Sequence, residues 1–221
     1  MDYVGHPILD ECPRDINKSR VTLKAEIEQG YPIVGLMPGS RKEEIRNLLP
    51  VMIEAADILT RRYPDLQCIL PLAPGIEPSS VQPYIDKTDS AIKLFQGSIY
   101  DVLSVCDVAL VTSGTATLET AIMGVPMVIV YKMSRISYWI AWMVVKVPYA
   151  GLVNLVGEEE VAPELLQDEV TADRLAQETL TILDNAEIRE NMIRKLNLIK
   201  EKLGKGGASE KTARIALEMM K

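Results

Sequence analysis

The chain has 221 residues, 48% apolar and 25% charged, a composition that suits one large globular domain or one domain with appendages. Its net charge of −7 argues against broad nucleic-acid binding. Cys12, Cys68 and Cys106 are an odd set without metal-type spacing, which suits a reducing compartment better than a disulfide framework.

Residues 1–30 read as a linker with a lead-in helix, and "MDYVGHPILD" has neither a basic n-region nor a long apolar stretch, so no leader is expected. The runs 32–37, 67–71, 91–95, 107–112 and 126–131 are short, apolar and bounded by Gly, Pro or Asp, as buried parallel strands are. Between them lie helical patterns. The clearest is 42–62, where Ile45, Leu48, Leu49, Met52, Ile53, Ala56 and Leu59 share a face before Pro64. Shorter helices are expected over 100–106 and 115–123. After residue 160 only helices are expected, over 163–167, 172–184 with Thr171 as N-cap, 187–203 and 209–220. Gly204, Gly206 and Gly207 make the best hinge in the chain. Strand–helix alternation at this spacing predicts an α/β fold with an open, doubly wound parallel sheet and a helical carboxyl-terminal tail.

Ligands of such a sheet sit beyond the carboxyl ends of its strands. Two turns stand there. In Pro38-Gly39-Ser40-Arg41, Gly39 permits close backbone approach, Ser40 offers a hydroxyl and Arg41 a guanidinium fork suited to phosphate. The same residues also fit a plain strand-to-helix turn with a surface arginine. In Thr112-Ser113-Gly114-Thr115, small residues open a helix whose free N–H groups and dipole favour an anion. Ser113 or Thr115 could equally serve only as a cap. Glu119, on the first turns of that helix, would repel phosphate but can accept from sugar hydroxyls. Neither a Walker loop nor a G-x-G-x-x-G fingerprint is present, so a nucleotide here is not held in the usual ATP or NAD manner.

"GLMPGSRKEEI", "SGTATLE", "GVPMVIVYK" and "NLVGEEEVAPELLQ", with "YVGHPILD" and "GASEKTA" near the two ends, resemble the lipid-A-disaccharide synthases over nearly the whole chain. The SGT…E and Gly-Val-Pro elements are shared more loosely by other UDP-sugar glycosyltransferases of two Rossmann-like domains, the GT-B fold. The resemblance implies transfer of diacylglucosamine from UDP to diacylglucosamine 1-phosphate, giving a β(1→6) disaccharide and UDP, with no metal and no cofactor. It implies that Gly39, Ser40, Arg41, Ser113, Gly114 and Thr115 face the diphosphate and that Glu119 meets ribose. The turn Gln96–Tyr100, with Gln96 and Ile99, would grip uracil through its backbone. Arg41 and Asn154 would be the catalytic residues, although Leu152-Val153-Asn154 stands where the family reads Leu-Pro-Asn, and Glu159 where it has a base.

Members of that family are about twice this long. The resemblance therefore implies a donor half: a lead-in at 1–30, a UDP-sugar domain at 31–204, and a hinge and crossover helix at 205–221. The acceptor domain and the general base would lie outside this chain, and His6 reads as a structural linker residue. Residues 134–152 include an apolar run, 136–145, too short to span a bilayer. This run is either a core helix or an interfacial patch, with Trp139 and Trp142 among acyl chains and Lys132, Arg135 and Lys146 on anionic head groups. Expected partners are the UDP-sugar lipid donor, the missing domain and the inner face of a bacterial inner membrane, but no nucleic acid. The last helix could also swap into a homodimer. The alternatives are another UDP-sugar transferase or epimerase, or a non-catalytic nucleotide- or lipid-binding module.

Overall fold

The computed structural model describes residues 3–13, 15–133 and 147–220. Six strands form one all-parallel sheet: β1 (Ile33–Met37), β2 (Gln67–Leu72), β3 (Ile92–Gln96), β4 (Val108–Thr112), β5 (Met127–Tyr131) and β6 (Glu164–Leu166). Their order is β3-β2-β1-β4-β5-β6. The first five agree with the apolar runs to within one residue at each end. All five residues of β4, at the sheet centre, are buried, as strands covered on both faces must be.

The helices are α1 (Ile8–Glu11), α2 (Lys18–Lys24), α3 (Lys42–Arg62), α4 (Pro78–Ile85), α5 (Ile99–Leu103), α6 (Thr115–Ile122), α7 (Leu152–Gly157), α8 (Ala172–Asp184), α9 (Ala186–Lys202) and α10 (Ala208–Met219). Right-handed crossovers put α3 and α4 on one face of the sheet and α5 and α6 on the other. Helix α8 returns to pack on α3, and α9 packs on α6 and α7. The apolar stripe of α3 is buried as expected: Leu48, Leu49, Met52 and Leu59 are each at most 1% exposed. Each such side chain contributes about 2 kcal/mol by burial. Tyr63, before Pro64, leaves helical geometry and ends α3. Thr171 caps α8 by accepting from the Arg174 N–H.

Three local expectations need correction. Residues 163–167 are not a helix. The Pro163 carbonyl accepts from the Ile129 N–H at 2.9 Å, and Glu164–Leu166 then pair with Ile129–Tyr131. A three-residue strand is too short to show a period. Helix α4 was hidden by its prolines, although Pro78 sits in its first turn, where no N–H is needed, and Pro83 lies inside. Helix α7 begins within 134–152, a stretch otherwise too apolar to show a period. Arg135, Trp139, Trp142 and Lys146 lie outside the described residues, whereas Lys132 is exposed. Among the described residues, no helix is long and apolar enough to cross a membrane.

The glycine-rich turn before α10 is laced to the lead-in. The Tyr3 hydroxyl donates to the Leu203 carbonyl at 2.9 Å, and that carbonyl also accepts from the His6 N–H at 2.9 Å. Asp10 caps α10 by accepting from the N–H groups of Gly207 and, at 3.1 Å, Ser209. His6 Nδ1 accepts from the Ile8 N–H at 3.2 Å, a structural role. The outer side of α10 is bare, with Leu217 63% and Met219 82% exposed. Backbone donors hold the Asp10 carboxyl below its ordinary 3.8. Its stabilisation is therefore whole above pH 3.8 and is lost as pH falls through the lower folded value. Asp10→Ala is expected to speed amide exchange throughout 207–219 at neutral pH while leaving the sheet amides protected, measured by hydrogen–deuterium exchange.

Candidate functional site

On either side of the β1/β4 boundary the chain winds away in opposite directions, so the loops leaving these strands diverge and open a crevice. A cleft of about 650 Å³ lies there. Its walls are Pro38–Arg41 after β1, Pro71–Pro74 at the end of β2, Gly97–Tyr100 after β3, Thr112–Ala116 after β4, and the side chains of Glu44, Glu119 and Leu152. The two turns singled out in the sequence meet in one cavity.

The first turn is built around an acid. Glu44 accepts from the Ser40 N–H at 3.1 Å, the Arg41 N–H at 3.2 Å and Arg41 Nη1 at 2.9 Å. This is a capping box at the start of α3, with Arg41 as N-cap. Gly39 has φ +109°, and a Cβ there would collide with the Glu44 carboxylate. Gly39 is therefore required by close approach to Glu44 whether or not a ligand is bound. The Arg41 side chain is 83% exposed at the cleft rim.

The second turn has no side-chain cap. Gly114, at φ +146°, is the N-cap of α6, and among the described residues no hydrogen bond uses the N–H of Gly114, Thr115 or Ala116. Ser113 is committed instead to holding a loop, its Oγ donating to the Ala150 carbonyl at 2.7 Å. Thr115 is exposed, and the Thr117 hydroxyl turns back to the Gly114 carbonyl at 2.8 Å. The helix start is left open to an anion.

Glu119 lines the inner wall. Burial raises its pKa, the nearby Glu11 carboxylate raises it further, and the Tyr100 hydroxyl opposes both. Among the described residues, Arg41 is the only cation in the wall, against two acids, Glu44 and Glu119. Ile99 lies in the wall, but Gln96 does not: its side chain is exposed and its carbonyl accepts from Lys24 Nζ. Among the described residues, no cluster of three or more His, Cys, Asp or Glu is placed to hold a metal ion.

Asn154 is not brought to the cleft. It is fully buried, with Nδ2 donating to the Ala162 carbonyl and Glu164 Oε1, both at 2.8 Å. Its Oδ1 accepts from Val161 and Ala162 N–H at 2.8 and 3.0 Å. This full set of partners engages both ends of the Asn154 amide within the protein. Glu164 in turn accepts from the Ala150 and Gly151 N–H groups at 2.8 and 2.9 Å, pinning the loop that Ser113 also holds. Glu159 pairs with Lys195 at 2.5 Å, away from the cleft wall. The reading from sequence missed Glu44, Tyr100 and Glu164. The signal for Glu44 was available as an acid three residues after the N-cap.

The sequence pattern of the lipid-A-disaccharide synthetase family matches residues 1–219. The chain belongs to this family. The lipid-A-disaccharide synthase of Geobacter sulfurreducens is 41% identical over 220 residues, which are 100% of this chain and 57% of the relative. The chain thus spans little more than half the length of the curated relatives it matches. Among solved structures, a UDP-GlcNAc 2-epimerase from Neisseria meningitidis bound to UDP-GlcNAc superposes with a TM-score of 0.62 at 15% identity, covering 91% of this chain and 49% of that one. A glycosyltransferase from Rickettsia africae gives a TM-score of 0.63 at 13% identity, covering 92% and 52%. At such identities these matches show the shared fold: one half of a GT-B-like pair of α/β domains.

The Asn154 network makes a direct prediction. Asn154→Ala strands the Val161 and Ala162 N–H groups and should lower unfolding stability by about 3 kcal/mol, measured by urea denaturation.

Proposed function

We propose that the cleft holds the UDP portion of UDP-2,3-diacylglucosamine and that the chain is the donor half of a lipid-A-disaccharide synthase. With its partner domain it would transfer the acylated sugar to 2,3-diacylglucosamine 1-phosphate and release UDP. The observation that carries this reading is the convergence of an arginine and an uncapped helix start across one cleft, with an acid set deeper in its wall. The diphosphate would lie between Arg41 and the N–H groups of Gly114, Thr115 and Ala116. The ribose diol would reach Glu119, and uracil the backbone of Gly97–Ile99. Charge that builds on the departing diphosphate is then met by fixed donors, which lowers the barrier to glycosidic cleavage.

The general base belongs to the amino-terminal domain in this reading, so the chain alone binds without turning over. The bare face of α10 would pack on that domain, or onto a second copy where the domain is missing. The stretch 134–152 would rest on the inner face of the inner membrane, with Trp139 and Trp142 among acyl chains.

UDP at a hundredfold excess over Kd should stabilise the chain by about 2.7 kcal/mol, read as a rise in melting temperature. Arg41→Ala, which removes a charged donor, should weaken UDP about 10- to 100-fold. Glu119→Ala should act similarly, and no shift with wild type at millimolar UDP would refute the cradle. In a turnover assay, product should form only when the amino-terminal half is added; product from the lone chain would place the base within it. The chain should also float with anionic vesicles, and Trp139→Ala with Trp142→Ala should abolish flotation; a variant that still floats removes the membrane reading.

A further inference from the structure

Among the described residues, only two buried side-chain polar atoms have no hydrogen-bond partner: Tyr100 Oη and Thr112 Oγ1. Both residues line the candidate cleft. Buried hydroxyls are normally satisfied, so a pair of exceptions within a single cleft marks a place left unfinished until something binds. Thr112 ends β4 at the sheet's switch point. Tyr100 sits in the first turn of α5, its N–H bonded to the Ser98 side chain at 3.2 Å, with 4% of its surface exposed. Helix α5 packs on α6, which carries Glu119, and the Tyr100 hydroxyl lies close enough to that carboxylate to oppose the rise in its pKa, yet outside hydrogen-bond distance and angle.

Glu119 needs a donor. Its surroundings are otherwise hostile to charge: burial, and Glu11 from α1, both favour the protonated acid. Cys12 lies on the same side, next to Tyr100. Lys200 of α9, a cation on an element packed against α6, is already used on the Ile122 carbonyl at the far end of that helix. The Tyr100 phenol is thus the group that can favour the ionised form.

Resting on the UDP reading above, we propose that Tyr100 is a positioning residue: with nucleotide bound, its hydroxyl donates to Glu119 and holds that carboxylate toward both ribose hydroxyls. Glu119 then accepts from the diol as an ion, and the Tyr100–Glu119 pair selects ribonucleotides over their deoxy counterparts. The unsatisfied phenol is the cost of that preorganisation.

The test compares wild type, Tyr100→Phe, Glu119→Gln and the double variant by calorimetric titration with UDP and with 2′,3′-dideoxy-UDP from pH 5 to 9. Wild type should prefer UDP, and Tyr100→Phe should weaken UDP about tenfold and shrink that preference. Glu119 must be ionised to accept, so affinity falls as pH drops through its pKa. Losing the phenol raises that pKa, so the fall should begin at higher pH in Tyr100→Phe and be absent in Glu119→Gln. The double variant should be no weaker than Glu119→Gln alone. Without ligand, Tyr100→Phe should melt no lower than wild type, since it deletes an unpaired group. If Glu119→Gln loses affinity while Tyr100→Phe keeps the wild-type affinity, preference and pH profile, the role given to Tyr100 is wrong and the UDP site stands. If wild type does not bind UDP, or Glu119→Gln binds as wild type does, the site reading fails and takes this proposal with it.

Discussion

The strand order around β1 and β4 is the constraint on which the site depends. Successive crossovers carry the chain outward from β1 through β2 to β3, then back across to β4 and outward again through β5 to β6. Loops leaving β1 and β4 must therefore part company. The gap between them is a consequence of winding and needs no dedicated residues to open it. What the residues decide is what the gap contains: backbone donors at the start of α6, one arginine at the opposite rim, and two acids, Glu44 and Glu119, in the wall.

Two carboxylates do much of the holding by gathering donors around them. Glu44 gathers the Ser40 and Arg41 amides and the Arg41 guanidinium into one cap, which sets the arginine's direction but also neutralises part of its charge. Glu164 does the corresponding work behind the other lip, tying down Ala150, Gly151 and Asn154. An exposed ion pair such as Arg41–Glu44 adds little stability. Its value is geometric: a long, flexible side chain is confined before a ligand arrives, so less entropy is lost on binding.

The sequence showed the fold's skeleton because the skeleton is periodic. Five apolar runs gave five strands, and the stripe on 42–62 gave α3 with both of its ends. The elements it hid are those in which period or composition fails: β6 is three residues long, α4 is broken up by prolines, and α7 begins in an unpatterned apolar stretch. Of the site, the turns around Gly39 and Gly114 and the acid at Glu119 were legible, because small residues after a buried strand have few other uses. Asn154 lies away from the cleft wall, which the motif match could not show, because such a match carries a residue's identity and not its hydrogen-bond partners. All of its donors and acceptors are consumed by Val161, Ala162 and Glu164, residues whose proximity depends on the register of β6. Tyr100 could not have been found from pattern alone, since a tyrosine on a short helix reads as core until its hydroxyl is seen to lack a partner.

The lead-in joins the cleft to the hinge by way of two adjacent acids. Asp10 caps α10 through Gly207 and Ser209, and Glu11 faces the Glu119–Tyr100 pair. A four-residue helix cannot move one of these carboxylates far without moving the other. Glu11 disfavours charge on Glu119, so any shift of α1 that withdraws Glu11 makes Glu119 a better acceptor, and ligand that favours the ionised Glu119 must favour that shift in return. The same displacement would pull on the cap of α10, whose outer side chains are uncovered. The cap of the last helix and the carboxylate that disfavours charge on Glu119 thus sit on adjacent residues of one four-residue helix.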